Sequence, residues 1–254
     1  MDIDCKVAIV TGGASGLGEA VARCLAKQGA IVSIFDVNRE RGEAVAQEIH
    51  GFYSAVDIAD ENSVIAGFAA SQEANGQPHI LVNCAGVGDF TPTVSDDGEP
   101  HPLKDFKRPI DVNLIGAFNC IRYFSAQVSK LPELPSGERG VIVNTASIAA
   151  FDGLATQAAY SASKAGIVGM TLPIARDLGA YGIRICTIAP GLFATPLLDV
   201  LPEGLAGQLA AQAPFPKRLG DPKEFAALVR HICENPMLNG ATIRLDGAMR
   251  MNSH

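Results

Sequence analysis

An α/β fold, with one doubly wound and mainly parallel seven-stranded sheet covered by helices on both faces, is what this 254-residue sequence predicts. Three observations carry the prediction. Strand-like and helix-like stretches alternate from end to end, which implies a parallel sheet with right-handed crossovers. The first apolar run, Val7-Ala8-Ile9-Val10, opens into a glycine turn and then a helix-like stretch. Aliphatic content is high, aromatic content is 6% and tryptophan is absent, which suits Val/Ile/Ala strands packed under Ala/Leu helices.

In chain order, strand 6–11 passes through Thr11-Gly12-Gly13-Ala14-Ser15-Gly16-Leu17-Gly18 into helix 16–28. Strand, glycine turn and helix form the context of a Rossmann-type dinucleotide site. Gly12, Gly16 and Gly18 let the backbone turn sharply and bring N–H groups close to a pyrophosphate, and the helix N-terminus adds orphan donors and a favourable dipole. The spacing is G-x-x-x-G-x-G, not G-x-G-x-x-G. Strand 31–35 is β-branched and aromatic and ends at Asp36, twenty residues beyond Gly16. A carboxylate there accepts hydrogen bonds from an adenine ribose and repels a 2′-phosphate, so NAD is expected over NADP. Arg39 is the one nearby feature that argues otherwise.

Helix 39–49, strand 52–56, helix 61–74 and strand 79–83 continue the alternation, and helix 104–130, strand 140–145, helix 157–180, strand 183–188, helix 222–234 and strand 241–245 complete it. Three segments break the rhythm. The insert 86–103 is polar and rich in Asp, Gly and Pro, and 130–140 contains two prolines and two glycines. The stretch 191–216, proline-rich among Leu, Phe and Ala, follows a strand end, where ligands of open α/β sheets bind. It reads as a lid over a substrate. Nothing resembles a linker, so 1–254 reads as one domain.

The run Val141 to Ser147 is a buried strand ending in a hydroxyl. Tyr160 and Lys164 are four residues apart on the following helix and so share a face. Pro173 should kink that helix or weaken its middle turn, beyond both residues. A free tyrosine titrates near 10, and a nearby ammonium favours the phenolate. Tyr160 is thus a candidate general base, Lys164 its electrostatic partner, and Ser147 a donor to the substrate oxygen. Gln157, on the same side of the helix as Tyr160, is a candidate substrate contact or an exposed first-turn residue.

The net charge of −7 makes a general nucleic-acid surface an unsuitable reading. The six cysteines at 5, 24, 84, 120, 186 and 233 form no C-x-x-C pair and read as small buried hydrophobes in a reducing compartment. Neither they nor the dispersed histidines show metal-ligand spacing, so no metal is expected. No apolar run is long enough to cross a bilayer. The first strand begins so early that no leader is expected.

Together, Thr11 to Gly18, Asn83-Cys84-Ala85-Gly86, Asn113, Ser147, Tyr160, Lys164 and Pro190-Gly191 resemble the short-chain dehydrogenase/reductase family over essentially the whole chain. The usual N-N-A-G of that family is N-C-A-G here. The runs 158–178, 187–198, 214–222 and 238–251 are similar to the family's type II 3-hydroxyacyl-CoA dehydrogenase group. The resemblance implies NAD as cofactor, a small-molecule substrate such as a 3-hydroxyacyl-CoA or a related secondary alcohol, and a homotetramer. It implies a cytoplasmic setting, or the mitochondrial matrix in an animal. It also implies an adenine-binding role for Asp57 and a role for Asn113 in holding a water near the lysine. Cofactor contacts are implied for Ser15, Leu17, Asn83, Cys84, Ala85, Gly86, Pro190, Phe193 and Thr195, and for Tyr160 and Lys164 at the nicotinamide ribose. Lys104, Lys107 and Arg108, or Lys217 and Arg218, are candidate contacts for CoA phosphates or else a solvated face. A carrier-protein reductase, another alcohol or steroid dehydrogenase, and a non-catalytic NAD-binding scaffold stay open as alternatives.

Overall fold

The computed structural model describes residues 1–198, 210–211 and 213–251. Its strands are β1 (Val7–Thr11), β2 (Ile31–Asp36), β3 (Phe52–Ala55), β4 (Pro78–Asn83), β5 (Gly140–Thr145), β6 (Ile183–Pro190) and β7 (Thr242–Leu245). They form a seven-stranded sheet in the order β3-β2-β1-β4-β5-β6-β7. Every neighbouring pair is parallel, so the sheet is fully and not just mainly parallel. Its helices are α1 (Gly16–Lys27), α2 (Arg39–Glu48), α3 (Glu61–Asn75), α4 (Leu103–Pro109), α5 (Ala117–Val128), α6 (Ala158–Gly179) and α7 (Pro222–Glu234).

Period-two alternation along each strand sorts the core into two layers. Ala8, Val10, Val32, Ile34, Val82 and Val143 point to one face, where Val21 and Leu25 of α1 and Phe225 and Val229 of α7 cover them. Ile9, Phe35, Leu81, Ile142 and Ile185 point to the other, against Phe68 of α3, Ile121 and Phe124 of α5 and Ala175 of α6. Burying one such large side chain contributes about 1.5–3 kcal/mol, and truncating Phe68, which is 1% exposed, to alanine would cost about 3–5 kcal/mol.

Local signals set the helix ends. Asp60 caps α3 by accepting the Asn62 and Ser63 N–H groups, and Gly76 ends it at φ 86°. Asp221 and Glu224 form a reciprocal capping box on α7, with Pro222 in the first turn. The single helix expected over 104–130 is instead α4, a π-helical turn at Ile110–Gly116, and α5 in succession. A Cβ on Gly116 would lie 2.7 Å from Ile58 Cγ1, and Asn113 inside the turn is tied to the Val87 backbone. Tertiary contacts of this kind select the wider turn. α6 runs as one helix through Pro173. In the expected lid, a 3₁₀ turn occupies Pro196–Leu198, while 199–209 and 212 lie outside the described residues.

Register brings the strand ends together. Thr11 is level with Phe35 and Asn83, Asn83 with Asn144, and Thr145 with Ile188. The strand order reverses between β1 and β4, and a crevice opens beyond the carboxyl ends at that switch point.

Candidate active site

A cleft of about 410 Å³ lies along this edge. One wall is the turn between β1 and α1. Gly12 has φ +66°, and a Cβ on it would fall 2.7 Å from the Ala85 backbone; one on Gly18 would fall 2.1 Å from the Gly12 carbonyl oxygen. Both glycines therefore permit close backbone approach. Ser15 is the N-cap of α1 and makes no side-chain cap bond; it lines the cleft with Gly16, Leu17 and Gly18.

Asp36, at the end of β2, accepts the Ala14 N–H at 3.0 Å and the Asn38 N–H at 2.9 Å. This ties the strand-end acid to the glycine turn. Arg39 pairs with Glu43 at 3.4 Å and is 71% exposed. Arg41 reaches the turn instead, donating to the Ala14 carbonyl at 3.1 Å and pairing with Glu19 at 3.4 Å. Asp57 caps its own loop through the Ala59 N–H at 2.9 Å. Asp36 and Asp57 both face the cleft.

The opposite wall is built by the ends of β4, β5 and β6. Cys84, Ala85, Gly86, Pro190, Phe193 and Thr195 line it. Thr145 Oγ1 donates to Cys84 Sγ at 3.5 Å, and burial pushes the thiol up to about 11, which makes it a packed residue and not a nucleophile. Asn83 and Asn113 are not among the lining residues. Asn83 donates to Asn144 Oδ1 at 2.9 Å, joining the ends of β4 and β5. Asn113 accepts the Val87 N–H at 2.8 Å and donates to the Val87 carbonyl at 2.9 Å and to Ser163 Oγ at 3.0 Å.

Ser147, Tyr160 and Lys164 all line the cleft. Ser147 follows β5 in extended backbone, and its Oγ accepts the Ala149 N–H at 3.1 Å. Tyr160 is in the first turn of α6, and Lys164 one turn later donates to the Thr145 carbonyl at 2.9 Å. Its Nζ lies 5.8 Å from the centre of the Tyr160 ring. Burial pushes the Tyr160 phenol above its usual value, with the Ser147 hydroxyl pulling the other way. The phenol is thus raised by burial and not lowered by Lys164, contrary to the expectation from the i, i+4 spacing. The Lys164 ammonium is itself lowered by burial to about 8, so it remains mostly protonated at neutral pH.

Gln157 is 8% exposed, lines the cleft and accepts the Leu154 N–H at 3.3 Å through Oε1. Phe90, Leu154, Leu192, Leu198 and Met251 add apolar side chains to the lining of the cleft. Lys104, Lys107, Arg108 and Lys217 are exposed, Arg218 is paired with Glu224 at 2.7 Å, and none of these five lines the cleft. Among the described residues, no three His, Cys, Asp or Glu side chains are placed to hold a metal, and no helix is long and apolar enough to cross a membrane.

Two positioning residues escape sequence reasoning. Thr145 supplies the carbonyl that holds Lys164, and its place two residues before Ser147 is the only signal. Ser163 donates to the Tyr160 carbonyl at 2.7 Å and receives Asn113, coupling the tyrosine's turn to the π-helical segment.

Residues 6–205 match the family model described as short chain dehydrogenase. The chain is 52% identical over 248 residues to a Homo sapiens protein named 3-hydroxyacyl-CoA dehydrogenase type-2, covering 96% of this chain and 95% of that one. It is also 52% identical over 248 residues to the Drosophila melanogaster protein of the same name, covering 96% and 97%. Among solved structures it is similar to 3-hydroxyacyl-CoA dehydrogenase type-2 from Mycobacterium avium, with TM-score 0.93, 40% identity and coverage of 98% and 97%. A 3-ketoacyl-(acyl-carrier-protein) reductase from Brucella melitensis complexed with NADH matches with TM-score 0.86, 30% identity and coverage of 98% and 100%.

Proposed function

We propose, from the premise that this chain belongs to the short chain dehydrogenase family and is therefore an oxidoreductase, that it interconverts (S)-3-hydroxyacyl-CoA and 3-oxoacyl-CoA with NAD. The observation that carries the reaction type is the convergence of Ser147, Tyr160 and Lys164 on one cleft whose far wall is a glycine turn. The acyl-CoA substrate class is supported by the names of the human and Drosophila relatives at 52% identity and by the apolar side chains in the cleft lining.

The residues present fit a dinucleotide. The Cβ-free surfaces of Gly12 and Gly18, the open N-terminus of α1 and the Asp36 carboxylate are what a pyrophosphate and an adenine ribose require. Ser15 and Leu17 would contact the phosphates, Asp57 would bind the adenine, and Cys84, Ala85 and Gly86 would let the backbone pass close to the cofactor. Pro190, Phe193 and Thr195 would hold the nicotinamide end, with Asn83 joining the ends of β4 and β5 and Asn113 holding the Val87 backbone. When bound, the nicotinamide supplies the hydride acceptor. Asp36, with Arg41 drawn toward Glu19, favours NAD over NADP.

In oxidation, Tyr160 takes the carbinol proton and Ser147 hydrogen-bonds the oxygen as charge develops on it; in reduction Tyr160 returns the proton. A nearby ammonium favours the phenolate over the phenol. The Thr145 carbonyl holds the Lys164 ammonium beside the Tyr160 ring, where its charge opposes the effect of burial on the phenol. Gln157 contacts the substrate beside Tyr160.

In this reading the span 1–254 acts as one catalytic domain. It assembles as a homotetramer in the cytoplasm, or in the mitochondrial matrix if the chain comes from an animal. The half-exposed Ile115 and Phe118 near the start of α5 and Leu172 on α6 supply apolar surface for helix pairing. NADH formation from 3-hydroxybutyryl-CoA, compared with a carrier-protein thioester and a free secondary alcohol, tests the substrate class. The CoA thioester is expected to give the highest kcat/KM, and a higher value for either rival would overturn it. Light scattering that shows a monomer would overturn the tetramer.

A further inference from the structure

Arg244, near the end of β7, joins the chain that directly follows it to a segment some ninety residues earlier in sequence. Its Nη2 donates to Asp152 Oδ2 at 2.6 Å and to the Met249 carbonyl at 3.0 Å, and its Nε donates to Asp246 Oδ2 at 2.7 Å. The guanidinium also lies 5.1 Å from the centre of the Phe151 ring. Arg244 and Asp152 are about one-fifth exposed and Asp246 is 7% exposed, so the fork is largely shielded from solvent. A planar guanidinium donates in several fixed directions at once, which a lysine cannot do.

The two segments it joins both bear on the cleft. Phe151 and Asp152 directly follow the 3₁₀ turn Ile148–Ala150, whose N-cap is Ser147. Met249, 4% exposed, packs with Ile148 and Ala213 in one small apolar cluster, and Met251 packs against that cluster while lining the cleft. None of these residues belongs to the glycine turn or to the Ser147–Tyr160–Lys164 group.

We propose that Arg244 is a positioning residue that latches the segment Met249–Met251 onto the loop following Ser147, and that Met251, so held, sets the depth of the acyl end of the cleft. The proposal rests on the 3-hydroxyacyl-CoA reading for the identity of the ligand, but the latch itself stands on the contacts above. The Met251 thioether is flexible and apolar and can yield to an acyl chain, whereas the Met249 carbonyl two residues before it is held by the fork.

The experiment is steady-state kinetics of Arg244→Met and Met251→Ala with 3-hydroxybutyryl-CoA and a longer straight-chain 3-hydroxyacyl-CoA, beside NADH affinity by fluorescence titration. Arg244→Met is expected to raise KM for the thioesters at least fivefold, with kcat within threefold and NADH affinity within twofold of wild type. Met251→Ala is expected to raise the long-to-short ratio of kcat/KM at least threefold. Unchanged KM in Arg244→Met, or a parallel loss of NADH affinity, would overturn the latch, and an unchanged ratio in Met251→Ala would overturn the depth assignment. If Arg244→Met does not fold, Asp152→Asn replaces it under the same criteria. If wild type oxidises none of the thioesters, the substrate reading fails, and the latch is then judged by the same KM and NADH criteria with the free secondary alcohol.

Discussion

Lys164 donates from Nζ to the main-chain carbonyl of Thr145 at 2.9 Å. One hydrogen bond therefore fixes the ammonium of α6 against the end of β5, two residues before Ser147. The lysine is 4% exposed and has no carboxylate partner among the described residues. That isolation is a stability cost with a definite pH signature.

Lys164 releases its proton near 8 in the folded protein and near 10.5 in the unfolded chain. Below about 8 both forms are protonated and the fold bears the full cost of the buried charge. Between those values the unfolded chain binds more protons, so stability rises with pH, by roughly 3 kcal/mol in all. Lys164→Met removes this titration. The wild-type stability, measured by urea unfolding relative to Lys164→Met, is expected to improve steadily from pH 8 to pH 10; a gap that stays constant over that range contradicts the assignment.

Asp36 accepts from the glycine turn and faces the cleft, and its charge opposes a 2′-phosphate. Asp36→Ser is expected to raise the NADPH-to-NADH ratio of kcat/KM at least tenfold. A ratio within twofold of wild type would remove Asp36 as the discriminating residue.

Asn113 accepts the Val87 N–H, donates to the Val87 carbonyl and reaches Ser163. Asn113→Ala leaves these buried and partly buried groups unpaired, each at about 1–3 kcal/mol where water cannot replace the bond. Urea unfolding is expected to show a loss of about 2–4 kcal/mol, and a loss under about 0.5 kcal/mol would mean that the segment re-pairs elsewhere.

Gly18 has no room for a side chain, since a Cβ would lie 2.1 Å from the Gly12 carbonyl oxygen. Gly18→Ala must push the turn away from α1. NADH affinity by fluorescence titration is expected to fall at least a hundredfold; affinity within threefold of wild type would show that the turn does not cradle the cofactor.

Elements with local signals were legible in the sequence. The apolar run before Gly12, the β-branched run before Asp36 and the hydroxyl after Val141–Thr145 each mark a strand end, and all three ends meet at the cleft. The i, i+4 pair Tyr160 and Lys164 converges there for the same reason. What was not legible depends on partners distant in sequence. The π-helical turn follows from Ile58 against Gly116 and from Asn113 against Val87, which no periodicity encodes. Asn83 turns toward Asn144 because β4 and β5 are level there, a matter of register. The rise in the Tyr160 pKa comes from desolvation, which requires knowing what surrounds the ring. Arg244 joins Asp152 to Met249 across 97 residues of sequence, and only the closed sheet brings them together.

Tyr160 as the group that exchanges the substrate proton is the central claim. NADH formation from 3-hydroxybutyryl-CoA by Tyr160→Phe, with NADH affinity titrated on the same sample, tests it most directly. Turnover is expected to fall about 10²–10⁴-fold with NADH affinity within threefold of wild type. Turnover within threefold of wild type would contradict the account.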